Sequence, residues 1–195
     1  MHRSAPAPPH RPRSTALRRI VAPIGLAGAV LLAGGCSPHG SGGADAVRCA
    51  EPFREALDPA STQHLFPETP EPRYLSDPPT SGPHRLGDRP TGVLTVPIPR
   101  PVQVAMLEVG DILIQYRPSL SPAEVAVLAD VARAAGAPIA GSLPVEVTVA
   151  PNPDLPAGAA VVATSWGFKV VCSDIDRRAV EAFVNLRAGH SAANP

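Results

Sequence analysis

One run of residues concentrates the chemistry available to this chain: Tyr74-Leu75-Ser76-Asp77-Pro78-Pro79-Thr80-Ser81-Gly82-Pro83-His84. Two consecutive prolines, a Thr-Ser-Gly turn and a further proline hold His84 on a fixed backbone. Ser81 and His84 are the pairing to weigh as nucleophile and base. No Gly-x-Ser-x-Gly elbow surrounds Ser81, so it reads as a turn serine that caps its own backbone. Glu108 reads as a carboxylate hydrogen-bonded to the loop of Thr80 and Ser81 rather than as a general base. Asp88 and Arg89 read as solvated, and Trp166 as core packed against Tyr116. His2, His10, His39 and His190 lie in leader, tether or tail and support no site. No catalytic residue emerges, because no acid–base pair or nucleophile arrangement rises above background.

The elements that must position these groups follow from periodicity and punctuation. A short helix is expected over 51–57, with Pro52 in its first turn. Residues 58–101 are dense in proline and exclude ordinary helix or central sheet, which makes them a wrapping segment. Residues 102–107 and 111–116 read as strands around Gly110. Ser121-Pro122-Ala123-Glu124 opens a helix with a capping box and proline at its first position. Val125, Leu128, Ala129 and Ala132 form its inner stripe, and Gly136 stops it. Val145, Val147 and Val149 alternate as a third strand. Residues 160–164 and 168–172 follow as a fourth and fifth around Trp166-Gly167. A closing helix over 174–188 carries Ile175, Ala179, Phe183 and Leu186 on one face, with Gly189 as its stop. The fold class is α+β: a small mixed sheet of about five strands, two to three helices packed on it, and the proline-rich wrap.

The Pro78–His84 run, with Gly92-Val93, Leu107-Glu108, Gly110, Tyr116-Arg117-Pro118, Ala150-Pro151-Asn152-Pro153 and Thr164-Ser165-Trp166-Gly167 in order, resembles a bacterial family of extracytoplasmic domains of unknown function. That family is marked by Pro-Pro-Thr-Ser-Gly-Pro-His and a later Leu-Glu-His-Gly segment, and the resemblance covers roughly residues 50–190. The family typically carries His-x-Leu-Glu-His-Gly, whereas this chain reads Ala105-Met106-Leu107-Glu108-Val109-Gly110. In a typical member those two histidines, the histidine of the proline motif and one at the position of His64 suggest a transition-metal site. Here His64, His84 and Glu108 remain, and they can hold a metal only if they converge. The replacement of two imidazoles by Ala105 and Val109 reads as abandonment of the site, so no cofactor or tightly held metal is expected. If the resemblance is structural, Ala105 and Val109 still face His84, and restoring both histidines raises Zn²⁺ or Cu²⁺ affinity.

The location of the protein is legible at the other end of the chain. Five arginines (Arg3, Arg11, Arg13, Arg18 and Arg19) precede an apolar run over 20–32 that ends in Ala33-Gly34-Gly35-Cys36. A basic segment, a short apolar core and small residues before a cysteine form a bacterial lipoprotein signal. The run is short for a membrane span of ~30 Å. Residues 1–35 are therefore expected to be removed and Cys36 to carry lipid at the extracytoplasmic face of the cell membrane. Residues 37–43 form a Ser/Gly-rich tether, 44–190 a single domain and 191–195 a tail.

With the leader's five arginines set aside, 12 basic residues face 17 acidic ones, a net charge of −5. That balance argues against nucleic acid as a partner. Cys49 and Cys172 remain as an even pair in an oxidising compartment and are expected to form a disulfide. Two function classes follow. The favoured one is a non-catalytic, surface-anchored domain that binds an envelope protein or small ligand. The alternative is a Cu- or Zn-handling or redox-associated protein that uses a remnant histidine cluster.

Overall fold

A computed structural model of the chain describes residues 47–87, 89–135 and 144–195. Eight elements follow in order: β1 (Phe53–Arg54), α1 (Arg100–Glu108), β2 (Ile112–Tyr116), α2 (Pro122–Ala135), β3 (Val147–Pro151), β4 (Val161–Ser165), β5 (Phe168–Cys172) and α3 (Arg177–Arg187). The five strands form one mixed sheet in the order β1-β5-β4-β2-β3. Only β2 and β3 pair in parallel, and α2 is the crossover that such a pair requires. Sharp hairpin geometry suffices for β4 and β5, whose antiparallel register sets Ser165 opposite Phe168. This is the α+β arrangement expected from the sequence.

Both faces of the sheet are covered, which is why β2, β3 and β4 are buried at every position. On one face Ile112, Ile114, Tyr116, Val149, Val161, Ala163 and Val170 meet Leu128 and Val131 of α2 and Val180, Phe183 and Val184 of α3. On the other, Leu113, Ala150 and Trp166 meet Val104, Met106 and Leu107 of α1, together with Ile98, Leu94 and Tyr74 of the proline-rich wrap. The wrap thus acts as half of the second layer. Its backbone also joins the sheet edge, where Leu94 N–H donates to Val149 O at 2.8 Å and Val149 N–H to Gly92 O at 2.9 Å.

Several expectations give way here. Residues 102–107 are helical, not a strand. Pro101 sits in the first turn of α1, where a missing N–H is harmless, and a short apolar run does not distinguish a buried helix from a buried strand. Residues 51–57 do not form a helix. Phe53 and Arg54 pair with Lys169 and Phe168, and Ala50 and Glu55 N–H groups donate to Val171 and Gly167 carbonyls. The open edge of β5 therefore outcompetes local helix formation. The inner face of α3 is Val180, Phe183, Val184 and Arg187, while Leu186 is 64% exposed. Trp166 is buried with α1 and the wrap, on the opposite face from Tyr116. Arg89 is no solvated bystander, since it forms a two-pronged ion pair with the fully buried Asp111.

Other features fall as read. Ser121 and Glu124 form the reciprocal capping box of α2, and Leu128 and Ala129 are among its buried residues. The Cys49–Cys172 disulfide is formed, with Cα atoms 3.9 Å apart, closer than the ~7 Å beyond which a bridge cannot form. It ties the start of the domain to the last residue of β5. The leader, Cys36, the tether, Asp88 and Gly136 lie outside the described residues. Among the described residues, no helix is long and apolar enough to cross a membrane.

Candidate metal centre

The site is assembled by three backbone constraints. The first is Gly82, whose φ of 131° is open to glycine and strained for other residues. A Cβ there would stand 2.9 Å from the ring of Tyr74, so the phenol lies directly on the turn. The Tyr74 hydroxyl donates to Pro83 O at 2.8 Å, and burial pushes its pKa well above the ordinary phenol value. The second constraint is a short parallel bridge between residues 64 and 84. His84 N–H donates to Gln63 O at 3.0 Å, and Leu65 N–H to His84 O at 2.7 Å. The two imidazoles consequently stand edge to face, with centroids 5.0 Å apart. The third is the C-terminal end of α1, which delivers Glu108. Gly110, at φ 98°, closes that end against the backbone of Gly189, and Ala192 N–H donates to Glu108 O.

His64, His84 and Glu108 converge, and each offers a ligand atom within 4.8 Å of the others. The donors of one ion with bonds of about 2 Å stand roughly 3–4 Å apart. A small movement of the exposed His64 side chain closes that difference. His84 is fully buried, and its Nδ1 lies 3.0 Å from Gly82 O. A carbonyl only accepts, so Nδ1 carries the proton and donates it. The other ring nitrogen, Nε2, faces Glu108 Oε2 at 2.8 Å without an aligned hydrogen bond. In a protonated ring this contact is an ion pair, whereas in a neutral ring it sets a lone pair beside a carboxylate, which is costly unless a cation joins them.

The placement of Glu108 adds to that cost. It is the last residue of α1, where the exposed carbonyl ends of the helix disfavour a carboxylate. Its side chain is 26% exposed and is not hydrogen-bonded to Thr80 or Ser81, contrary to the sequence expectation. Those two hydroxyls are engaged elsewhere. Ser81 Oγ accepts from Asp58 N–H at 2.9 Å, and the His84 ring contacts Gly82 O and Glu108 rather than Ser81. Thr80 Oγ1 and Ser76 Oγ each donate to Glu55 Oε2 at 2.7 Å. The buried Lys169 ammonium reaches Glu55 Oε1 at 3.0 Å. Burial alone would raise the Glu55 pKa, but these donors outweigh it and hold the carboxyl below its usual value.

The helical form of α1 decides what positions 105 and 109 can do. Pro101, Ala105 and Glu108 follow one another along one helix face. The His84–Arg85 segment runs beside that face, since Arg85 N–H donates to Pro101 O at 3.2 Å while His84 meets Glu108. Ala105 shares that helix face, is buried and has no donor atom. Val109 is the C-cap, just beyond the helix.

A buried imidazole and an exposed imidazole from the proline-rich wrap thus meet a carboxylate from the end of α1 over a mixed sheet, a set of three donors that could hold a metal ion. The chain belongs to the family described as protein of unknown function (DUF3105), which matches residues 68–195. The match contains His84 and Glu108, while His64 lies just before it. No curated protein and no solved structure matches the chain.

Proposed function

We propose that this protein is a non-catalytic metal-binding domain of the bacterial envelope, anchored by lipid on Cys36, that holds one Zn²⁺ or Cu²⁺ ion on His64, His84 and Glu108. The observation that carries this reading is the buried His84 Nε2, oriented by its Nδ1–H bond to Gly82 and left facing a carboxylate. A ligating histidine has this arrangement, with its second nitrogen donating to a backbone carbonyl. Two nitrogens and one oxygen suit a borderline divalent cation better than Ca²⁺ or Mg²⁺. The sequence expectation of an abandoned site rested on Ala105 and Val109; three convergent donors favour a reduced site instead.

Elemental analysis of tag-free protein isolated from membranes tests this reading. About one Zn or Cu per chain is expected, together with release into the soluble fraction on Cys36→Ala substitution. Metal-free protein that takes up neither ion would overturn the metal assignment, and unchanged membrane association of the Cys36→Ala protein would overturn the anchor.

A second reading, binding of an apolar small ligand, is favoured by one feature. A cleft of about 530 Å³ is lined by Leu94, Val96, Pro97, Ile98, Pro99 and Val102, with Arg89 and Pro90 completing the lining. That size lies within the range of small-molecule sites.

A further inference from the structure

The last residue of α3 carries a charge that the protein leaves unanswered. Arg187 is only 7% exposed. Its Nε donates to Ser165 Oγ at 3.3 Å, and its Nη2 is buried without an acceptor. Among the described residues, no carboxylate forms a salt bridge with Arg187 or with Arg54. A buried cation without a partner is costly. We infer that Arg187 and Arg54 form a binding site for a phosphate group, seated beside the Phe168 ring. The inference does not depend on the metal reading above.

Strand pairing and helix packing bring the two arginines together. Arg54 stands opposite Phe168 across the β1–β5 pair, and cross-strand neighbours share a face of the sheet. Phe168 packs against the core that α3 covers, so Arg54 and Arg187 approach it on the same face. Their guanidinium carbons stand 6.0 Å and 3.7 Å from the ring centroid, and hence within about 10 Å of each other. Arg54 is exposed, so its side chain is free to adjust to an ion held by Arg187. Burial, and after it the charge of Arg54, hold the Arg187 pKa below the ordinary guanidinium value. An anion between the two groups turns that repulsion into attraction.

The chemistry of the ligand follows from this arrangement. The Phe168 ring lies against the Arg187 guanidinium and Ser165 takes its Nε, which leaves the Nη2 N–H bonds for a ligand. A planar guanidinium edge matches the oxygens of carboxylate and phosphate. A carboxylate neutralises one of the two positive charges. A phosphate monoester carries about −1.5 to −2 at neutral pH and three acceptor oxygens, which suits both arginines. A free phosphate ester and a lipid headgroup offer the same group, and the experiment separates them.

Calorimetric titration with inorganic phosphate tests the site, using full-length protein in neutral detergent at an ionic strength fixed with chloride. One phosphate per chain is expected. Arg187→Gln should abolish the binding, and Arg54→Gln should weaken it by about tenfold or more. Arg54 is exposed, so its variant keeps the test decisive if Arg187→Gln does not fold. Phosphate held by a metal ion instead would be indifferent to Arg54. No uptake by the unmodified protein, or equal uptake by it and Arg54→Gln, would overturn the site. The source is read by repeating the titration in phosphatidylcholine vesicles with and without phosphatidic acid. Loss of phosphate uptake on adding phosphatidic acid upholds the site and assigns it to a lipid headgroup. Equal uptake in both upholds it and assigns it to a free phosphate ester.

Discussion

His84 Nε2 and Glu108 Oε2 lie 2.8 Å apart without a hydrogen bond between them. His84 is held by the Gly82 carbonyl and by backbone bonds to Gln63 and Leu65, and the backbone of Glu108 is held at the end of α1. On the proposed reading a cation completes the arrangement.

Glu108→Gln should separate charge from shape at this pair. The amide can donate to Nε2, so the metal-free protein should gain thermal stability, by up to about 1–2 kcal/mol. Zn²⁺ affinity should fall. Calorimetric melting with and without Zn²⁺ checks both effects, and the opposite signs exclude a purely structural role for Glu108.

Ala105→His should restore a fourth protein donor on the same helix face. The expected outcome is a gain in Zn²⁺ affinity of roughly tenfold or more, with a further gain on adding Val109→His. Calorimetric titration of the folded variants is the check. Because Ala105 is buried, the partly exposed Val109→His variant serves as the second probe, and no gain in either would mean that these positions do not reach the ion.

Glu55 should make the domain acid-sensitive. Its folded pKa lies below the usual carboxylate value, so its contribution is fully present above the unfolded pKa and is lost as pH falls through the folded one. Denaturant unfolding as a function of pH should show this loss below about pH 4.5. Glu55→Gln should flatten that part of the profile. It should also destabilise the protein by about 3 kcal/mol or more at neutral pH, since the buried Lys169 would lose its partner.

The disulfide closes a sequence separation of 123 residues, which in the chain-entropy model is worth about 5 kcal/mol. Cys49 and Cys172 should give no free-thiol signal before reduction, and the intact mass should rise by two hydrogen atoms after it. The Cys49→Ala, Cys172→Ala protein should melt at a markedly lower temperature. Unchanged melting would show that β1 and its flanks are held by the β5 edge alone.

Legibility from the sequence followed the physical range of the interactions. The cap of α2, strand β5 and the Cys49–Cys172 pair were readable because short spacing or cysteine parity specifies them. Helix α1 was misread because Val102 and Val104 alternate as in a strand while Val104 and Leu107 are spaced as in a helix, and only tertiary burial decides between them. His84 stood out from its rigid motif, and His64 only through the family resemblance. Their meeting depends on a single parallel bridge that no local signal announces. Glu55 was missed altogether, since its three partners come from Ser76, Thr80 and distant Lys169. Arg89 and Asp111 were missed for the same reason, as their ion pair joins the wrap to the start of β2.

The most direct measurement is isothermal titration of tag-free, metal-stripped protein with Zn²⁺, alongside the His64→Ala variant. His64 is exposed, so its loss removes a ligand without opening the core. One ion per chain with micromolar or tighter affinity is predicted for the unmodified protein, weakened by roughly tenfold or more in the variant. No Zn²⁺ binding, or equal binding by the two proteins, would contradict the assignment of His64, His84 and Glu108 as a metal site.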